Sequence, residues 1–229
     1  STLDTLIVTG TRVSDRTVAE SQSPIDIITS ETLTATGTTE LATALARALP
    51  SLNFPRPALT DGTSAIRPAQ LRGLAPDQVL VLVNGKRRHT SSLLNLNGTI
   101  GRGSSPVDLN TIPISAIDRV EVLRDGASAQ YGSDAIAGVV NVVLKGSSEG
   151  GSLSVSAGQY SAGDGKQTQI AGDTGLALGE RGFLHLSAQV GQQEETNRAR
   201  PFAGTPGVTQ PALGQKAFVI GEPEVDFGA

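Results

Sequence analysis

The segment from residue 117 to residue 145 reads IDRVEVLRDGASAQYGSDAIAGVVNVVLK, and it constrains the architecture of the chain more than any other part. Val120 and Val122 alternate with polar residues, a pattern typical of a strand with two different faces. Residues 126–137 are punctuated by glycine, which favours tight turns. Residues 139–144 are apolar apart from one asparagine and predict a second strand. The segment therefore predicts two strands joined by a compact turn region.

Shorter elements are predicted on the N-terminal side of this segment. Pro113 predicts a one-turn helix that leads into the first strand. Residues 70–73 and 79–83 have the composition of strands. Asn84-Gly85 follows directly and is a strong signal for a type I′ hairpin. These features indicate a small sheet with tight connections.

Two short helices are predicted further upstream. The first follows a short strand at residues 25–29 and has Ser30 at its N-cap position. The second begins after a cap formed by Thr38 or Thr39 and ends at Pro50. One face of the second helix carries leucines at a spacing typical of a helix, namely Leu41, Leu45 and Leu49.

A different pattern begins after Gly151, where three segments alternate between an apolar face and a small or polar face. The apolar positions are Leu153, Val155 and Ala157, then Thr168, Ile170, Thr174, Leu176 and Leu178, then Leu184, Leu186, Ala188 and Val190. Such strands fit the wall of an outer-membrane barrel, with lipid on one side and a wet lumen on the other. They also fit a soluble, half-buried antiparallel sheet, which the alternation taken alone favours.

The composition argues against several classes of protein. The 18 Lys and Arg against 22 Asp and Glu give a net charge of −4, and a nucleic-acid-binding surface needs far more clustered positive charge. The chain has no cysteine and only two histidines, far apart in sequence, so neither a metal site nor a cofactor is expected. No paired-carboxylate motif is present, so an enzyme is not expected. No apolar run approaches the roughly 18 residues of a membrane helix.

Several segments together resemble the plug domain of TonB-dependent outer-membrane receptors, in the family's order, over residues 4–146. They are SPIDIIT at 23–29, ALPSL at 48–52, LRG at 71–73, VLVLVNG at 79–85, IP at 112–113 and the segment 117–145. The sequence departs from the family in two places. Asn84 stands where the family often has Asp, and Asp125 separates Arg124 from Gly126, which are adjacent in the family.

The resemblance implies an α+β plug domain, that is, a small mixed sheet with short helices, followed by antiparallel β-strands of an incomplete transmembrane β-barrel. The implied boundaries are a periplasmic arm with the TonB box at 1–22, a plug domain at 23–148 and barrel strands and loops at 149–229. The family's barrel has about 22 strands, of which this chain has room for about three or four. The remainder of the β-barrel and outer-membrane lipid are therefore expected partners.

The resemblance also implies a TonB box, the segment through which these receptors bind TonB. Its residues here are Thr5, Leu6, Ile7, Val8 and Thr9. Such a segment binds by adding an extended strand to an exposed sheet edge of its partner. The alternative is a chain end without a function.

Two arginines, Arg72 and Arg124, match plug arginines that pair with barrel glutamates in the family. A guanidinium suits this role because its planar fork binds a carboxylate with two hydrogen bonds. The barrel glutamates are expected beyond residue 229, and Glu121 is a candidate local partner. Ordinary surface arginines are the alternative interpretation.

Residues 54–65 and 87–105 are expected to form outward-facing loops, which contact the ligand in this family. The long polar segment at 88–110 is too long for a simple connection, so a functional or mobile segment is predicted. The candidate ligand-binding residues are Arg56, Arg87, Arg88, His89, Asn95, Asn97 and Arg102. Their chemistry favours an anionic or oxygen-rich ligand.

The function implied is TonB-driven import of a scarce nutrient, such as a siderophore, cobalamin or a saccharide. The implied location is the bacterial outer membrane, with the plug inside the barrel and the N-terminus in the periplasm. A soluble module that binds a ligand or partner without transport is the alternative. It predicts that the alternating strands bury their apolar face.

Overall fold

The structure is a computed structural model, and it describes Thr9, residues 24–55, 65–96, 101–125, 127–179 and 182–196, and the backbone of Glu224–Gly228. These residues form a mixed five-stranded sheet, a four-stranded antiparallel sheet and a small two-stranded sheet. Within them, no helix has the length and apolarity needed to cross a lipid bilayer.

The mixed sheet has the strand order β1-β6-β7-β4-β5. Its strands are β1 (Ile25–Thr29), β4 (Val79–Val83), β5 (Lys86–Arg87), β6 (Ile117–Leu123) and β7 (Gly138–Leu144). Strands β4 and β7 are parallel, and the other neighbours are antiparallel. The two strands of the opening segment, β6 and β7, are thus adjacent at the centre of the sheet, as an antiparallel pair.

The helices are short, and two caps differ from the prediction. Helix α1 (Ser30–Ala35) is capped by Thr29, whose hydroxyl accepts from the Thr32 amide, so the cap lies one residue before the predicted Ser30. Helix α2 (Leu41–Ala48) has Glu40 at its N-cap without a side-chain cap bond. Thr38 instead accepts a bond from the Glu40 amide at 3.3 Å, because it lies two residues before the N-cap position.

The predicted turn region between β6 and β7 contains regular turns of its own. Helix α3 (Ser128–Tyr131) is followed by a 3₁₀ turn at Ser133–Ala135. Three further 3₁₀ turns lie at Pro76–Gln78, Leu109–Thr111 and Ile114–Ala116. The last of these is the one-turn helix predicted after Pro113.

The hydrophobic core lies on both faces of the mixed sheet. On one face, α2 packs its leucines against the valines of the central strands, and the fully buried members include Leu41, Leu45, Val120, Val122, Val140 and Val142. A smaller cluster covers the other face and includes Leu80, Leu82, Leu123 and Val139. A strand that is buried on both faces reads as an apolar run, which explains the composition of β4 and β7.

The hairpin between β4 and β5 has the predicted geometry. Asn84 has a φ of 49° and Gly85 a φ of 76°, and a type I′ turn requires positive φ at both positions. The Asn84 side chain also accepts a bond from the Leu144 amide at 2.8 Å. The hairpin is thereby tied to the end of β7.

The predicted strand at 70–73 is shorter than expected. Strand β3 (Gln70–Leu71) pairs with β2 (Leu52–Asn53) over two residues. It ends at Arg72 because this residue has a φ of 56°, which is incompatible with a strand.

The antiparallel sheet has the order β11-β10-β9-β8. Its strands are β8 (Gly151–Gly158), β9 (Gln167–Leu178), β10 (Gly182–Gln193) and β11 (Glu224–Gly228). Its described residues form an open sheet and not a closed barrel. The predicted fold class is therefore confirmed: a small mixed sheet with short helices, followed by antiparallel strands.

The antiparallel sheet exposes its apolar face, whereas a sheet of a water-soluble protein usually buries that face. Leu153 is 78% exposed and Leu186 is 50% exposed, whereas Ala171 and Gln189, on the other face, are each 8% exposed. The polar face of β9 and β10 is partly covered because it lies against the mixed-sheet domain, whereas β8 is exposed on both faces. This arrangement agrees with the barrel-wall interpretation and not with a half-buried soluble sheet.

Candidate functional site

Thr9 is completely buried at the centre of the mixed sheet. Its hydroxyl donates to Glu121 Oε2 at 2.6 Å and accepts from Asn141 Nδ2 at 3.0 Å. The sequence placed Thr9 in the segment that binds TonB, whereas Thr5–Val8 lie outside the described residues. Thr9 therefore bonds to the two central strands of the mixed sheet.

Glu121 and Asn141 are directly opposite each other on β6 and β7, and neither is exposed. Arg119 reaches Glu121 Oε1 at 3.0 Å and also pairs with Asp118 at 2.7 Å. Asn141 Oδ1 accepts from the Gly85 amide at 3.0 Å. A buried carboxylate has no donor of its own, so it needs donors from its surroundings. Thr9 and Arg119 supply them here.

Within the described residues, neither Arg72 nor Arg124 forms the local pair with Glu121 that the sequence offered as a candidate. Arg124 pairs with Asp26 at 2.7 Å, and Arg72 lies 3.9 Å from Asp125 and donates to the Ile136 carbonyl at 3.2 Å. Successive side chains of a strand point to opposite faces, so Glu121 and Arg124, three residues apart, cannot share a face.

The pairing of these two arginines with barrel glutamates stays a prediction. About 40% of each arginine side chain is exposed, so both can reach further partners.

A polar cluster joins the end of the mixed sheet to the antiparallel sheet. Lys145, directly after β7, donates to Asp173 Oδ1 in β9 at 2.8 Å. His185 Nε2 in β10 lies 3.0 Å from Asp173 Oδ2, and Ser152 donates to the same carboxylate. The side chains of Asp173 and His185 are about 95% buried, at 4% and 6% exposure. An ion pair thus fixes one sheet against the other.

Sequence reasoning missed this contact. The alternation in the sequence places Asp173 and His185 between the apolar positions and therefore on the polar face of their strands. The pairing of Asp173 with Lys145 could not be predicted from the sequence, because 28 positions separate the two residues in the chain.

A second buried ion pair, also missed, organises the start of α2. Arg67 Nε lies 2.5 Å from Glu40 Oε1, with only 6% of the arginine side chain exposed. Asn110 donates to the same oxygen at 2.8 Å, and the Arg67 amide donates to Asp108 at 3.1 Å. Arg67 follows the predicted loop at 54–65, and Asp108 and Asn110 follow the predicted loop at 87–105. These bonds therefore hold the C-terminal ends of both loops near the start of α2.

The predicted ligand-binding residues that the structure describes contact different parts of the domain and do not form one cluster. Arg87 pairs with Asp134 at 2.6 Å, and Arg88 donates to Thr111 at 3.3 Å. Arg88 also lines a gap of about 240 Å³ between the two sheets, together with Lys145 and His185.

The other candidates divide into three groups. Asn95 is buried, and its backbone bonds to Ser104 and Gly103 close the loop on itself. His89 and Arg102 are exposed. Arg56 and Asn97 lie outside the described residues. His89 and Arg102 are therefore accessible to a ligand. Asn95 lies inside the loop formed by residues 95–104.

The chain matches known proteins over most of its length. A family model for the TonB-dependent receptor plug domain matches residues 17–139. The vitamin B12 transporter BtuB of Vibrio cholerae serotype O1 is 30% identical over 201 residues, which cover 88% of this chain and 30% of the transporter. The ferric enterobactin receptor of Pseudomonas aeruginosa is 31% identical over 137 residues, 58% of this chain and 18% of the receptor. The chain thus spans less than a third of the length of these relatives.

Solved structures agree with these matches. A mutant of the ferric enterobactin receptor PfeA of Pseudomonas aeruginosa, in complex with enterobactin, has a TM-score of 0.60 at 25% identity over 76% of this chain and 25% of that one. The siderophore receptor PirA of Acinetobacter baumannii has a TM-score of 0.59 at 25% identity over 77% of this chain and 25% of that one. The family model alone covers more than half of the chain, and the chain belongs to the TonB-dependent receptor family, whose plug domain it carries.

Proposed function

We propose that this chain supplies the plug and the first wall strands of an outer-membrane receptor that imports a scarce nutrient with energy delivered by TonB. The observation that carries the proposal is the orientation of the antiparallel sheet. Its leucines face outward, and its glutamines, Asp173 and His185 face the mixed-sheet domain. A wall with lipid outside and a plugged, polar lumen inside needs this orientation.

A soluble binding module is disfavoured by the same observation. The exposed apolar side chains include Leu153, Val155, Ile170, Leu176, Leu178, Leu184, Leu186 and Val190. Soluble monomers rarely expose so large a contiguous apolar surface, whereas contact with lipid tails covers it without cost.

The proposal divides the chain into an arm at 1–22, a plug at 23–148 and wall strands from 149 onward. The arm lies on the periplasmic side, where residues 5–9 pair with TonB by strand addition. Below, residues 1–22 are called the arm.

The proposed ligand is a scarce nutrient of the kind that the relatives' names describe, vitamin B12 or a ferric siderophore. Exposed His89 and Arg102, with Arg56 and Asn97, remain the candidate contacts. Their positive or polar side chains suit the oxygen-rich surface of such ligands.

Deletion of residues 6–8 from the full-length receptor tests the proposal. Uptake of radiolabelled cobalamin and ferric enterobactin is measured in cells that lack their own receptors for these nutrients. We expect the deletion to abolish uptake while binding at the cell surface is retained, because the arm is not part of the ligand site.

Deletion of residues 14–16, also in the arm, is the matched control and is expected to preserve uptake. Undiminished uptake after deletion of residues 6–8 would remove the TonB-box assignment.

A further inference from the structure

The gap of about 240 Å³ between the mixed sheet and the antiparallel sheet has a basic lining. Arg88, Lys145 and His185 line it, and no carboxylate among the described residues does so. We infer that this gap, called the seam site below, binds a small oxyanion such as inorganic phosphate, and that the bound anion joins the two sheets. The inference goes beyond nutrient import, because it does not depend on which nutrient the receptor carries.

Arg88 is the cation that an anion in the seam site would neutralise. It is half-buried, and its guanidinium donates to the Thr111 hydroxyl at 3.3 Å. It has no acidic partner in the part of the chain that the structure describes, whereas the neighbouring Arg87 pairs with Asp134 at 2.6 Å. A guanidinium presents several N–H donors in a planar fork, which suits two oxygens of one oxyanion.

Lys145 is the second donor at the seam site. Its ammonium group donates to Asp173 Oδ1 at 2.8 Å and has further N–H donors to offer. Asp173 does not line the gap, because Lys145, Ser152 and His185 occupy its two carboxylate oxygens. The Lys145–Asp173 pair is neutral as a unit, so the positive charge of Arg88 remains uncompensated at the site.

Ser187 contributes a donor from the opposite side of the gap. It belongs to β10 and is partly buried, and its hydroxyl bonds to no residue that the structure describes. Arg88 and Lys145 belong to the mixed-sheet domain, whereas Ser187 belongs to the antiparallel sheet. An oxyanion bound to all three is therefore held from both sheets at once.

The surroundings of the site select for a small anion. Val83, Ile112 and Leu144 form apolar parts of the lining and strengthen the attraction between opposite charges by excluding water. The volume of about 240 Å³ is several times the roughly 30 Å³ that one water occupies in the liquid. It lies below the roughly 300–1,000 Å³ of pockets that hold drug-sized ligands. Phosphate with a few waters fits this volume.

A lipid headgroup is not the expected anion. The gap is lined by His185 and Ser187, which alternate along β10 with the exposed Leu184 and Leu186. Successive side chains of a strand point to opposite faces, so the seam site lies on the side of the sheet away from its apolar face. The expected occupant is therefore an anion free in water.

The experiment titrates inorganic phosphate into the full-length receptor in detergent and follows binding by calorimetry. Chloride keeps the ionic strength constant, so that general screening does not change. Arg88→Gln removes the uncompensated charge, and Ser187→Ala removes the donor from β10. Arg87→Gln is the matched control, because it removes the same charge one position earlier in the chain, where Asp134 already pairs with it.

The seam site predicts saturable binding of one phosphate to the wild-type receptor. We expect Arg88→Gln to weaken the affinity by about tenfold or more, the fold-change that corresponds to loss of a hydrogen bond to a charged group. Ser187→Ala is expected to weaken it by a smaller factor, and Arg87→Gln to leave it unchanged.

Urea unfolding, followed by protease sensitivity of the plug, tests whether the anion joins the two sheets. An anion that binds only the assembled site stabilises it by mass action. We therefore expect phosphate to raise the urea midpoint of the wild-type receptor relative to chloride and to have no such effect on Arg88→Gln.

Three outcomes would overturn the seam site. The first is the absence of saturable phosphate binding by the wild-type receptor. The second is equal loss of affinity in Arg87→Gln and Arg88→Gln, since the effect would then belong to net charge. The third is a loss of stability in Arg88→Gln that is the same in phosphate and in chloride, because a carboxylate of the receptor itself would then neutralise Arg88.

Discussion

A few polar side chains connect the mixed sheet to the antiparallel sheet. Lys145 directly follows β7, and its partner Asp173 in β9 also bonds to Ser152 of β8 and His185 of β10. A carboxylate in such a site depends on its partners because burial removes the water that would otherwise solvate it. The Lys145–Asp173 pair is therefore expected to matter more than an exposed ion pair such as Arg87–Asp134.

Replacement of Lys145 tests this expectation. Lys145→Met keeps the length of the side chain and removes its charge, which leaves Asp173 with His185 and Ser152 only. We expect the full-length receptor to lose about 2–3 kcal/mol of stability, less than the 3–5 kcal/mol of a fully uncompensated charge. Urea unfolding followed by protease sensitivity of the plug measures the loss.

Lys86→Met is the matched control, since Lys86 is exposed in the β4–β5 hairpin. It is expected to change stability by less than about 0.5 kcal/mol. Equal losses in the two variants would mean that Lys145–Asp173 does not fix the plug to the wall.

The residue contacts were the least predictable part of the molecule. The sequence placed Asp173 and His185 on the correct face, because alternation is a local property. It could not pair Asp173 with Lys145, or Glu121 with Thr9 and Arg119, because these pairs depend on which strands become neighbours. The Arg124–Asp26 pair was missed for the same reason.

Secondary-structure elements were predicted well wherever a local signal was strong. The Asn84-Gly85 hairpin, the strands of the opening segment and the three alternating strands are present in the structure. The cap of α1 was misplaced by one residue because Thr29 and Ser30 can both accept a cap bond, and the cap of α2 was misplaced because its N-cap, Glu40, makes no side-chain cap bond. The parallel pairing of β4 with β7 had no local signal, since each residue of β4 is 59 positions away from its partner in β7.

The start of β7 is a point of close contact between elements. Gly138 has a φ of 142°, and a Cβ atom placed on it would lie 2.4 Å from the Leu123 carbonyl oxygen and 2.5 Å from Leu71 Cδ2. Backbone strain and overpacking therefore act together. We expect Gly138→Ala to destabilise the plug by about 3 kcal/mol or more, measured by urea unfolding of the full-length receptor.

Gly132→Ala separates the two effects. Gly132 has a φ of 92°, but nothing lies within 4 Å of a Cβ atom placed there. Only the strain of the backbone remains, so a loss of about 1–2 kcal/mol is expected. A loss at Gly138 no greater than that at Gly132 would show that the close approach of β7 to Leu123 and Leu71 is not rigid.

At the scale of the whole molecule, the main feature is how the five-stranded mixed sheet and the four-stranded antiparallel sheet pack together. The central strands of the mixed sheet are buried on both faces, whereas the antiparallel sheet packs the polar side of β9 and β10 against that domain and leaves its apolar face exposed. The sequence predicted the alternation and the resemblance predicted its direction. The alternation alone could not decide which face would be covered, because a barrel wall and a half-buried soluble sheet both alternate with a period of two residues.

The orientation of β10 is the central claim, and it can be measured directly. The chain contains no cysteine, so nitroxides can be introduced one at a time at positions 184–190 of the full-length receptor in lipid bilayers. Collisions with oxygen, which concentrates in lipid, are then compared with collisions with a water-soluble nickel complex. The account predicts high oxygen accessibility at 184, 186, 188 and 190 and low accessibility at 185, 187 and 189. The opposite alternation, or no alternation at all, would contradict it.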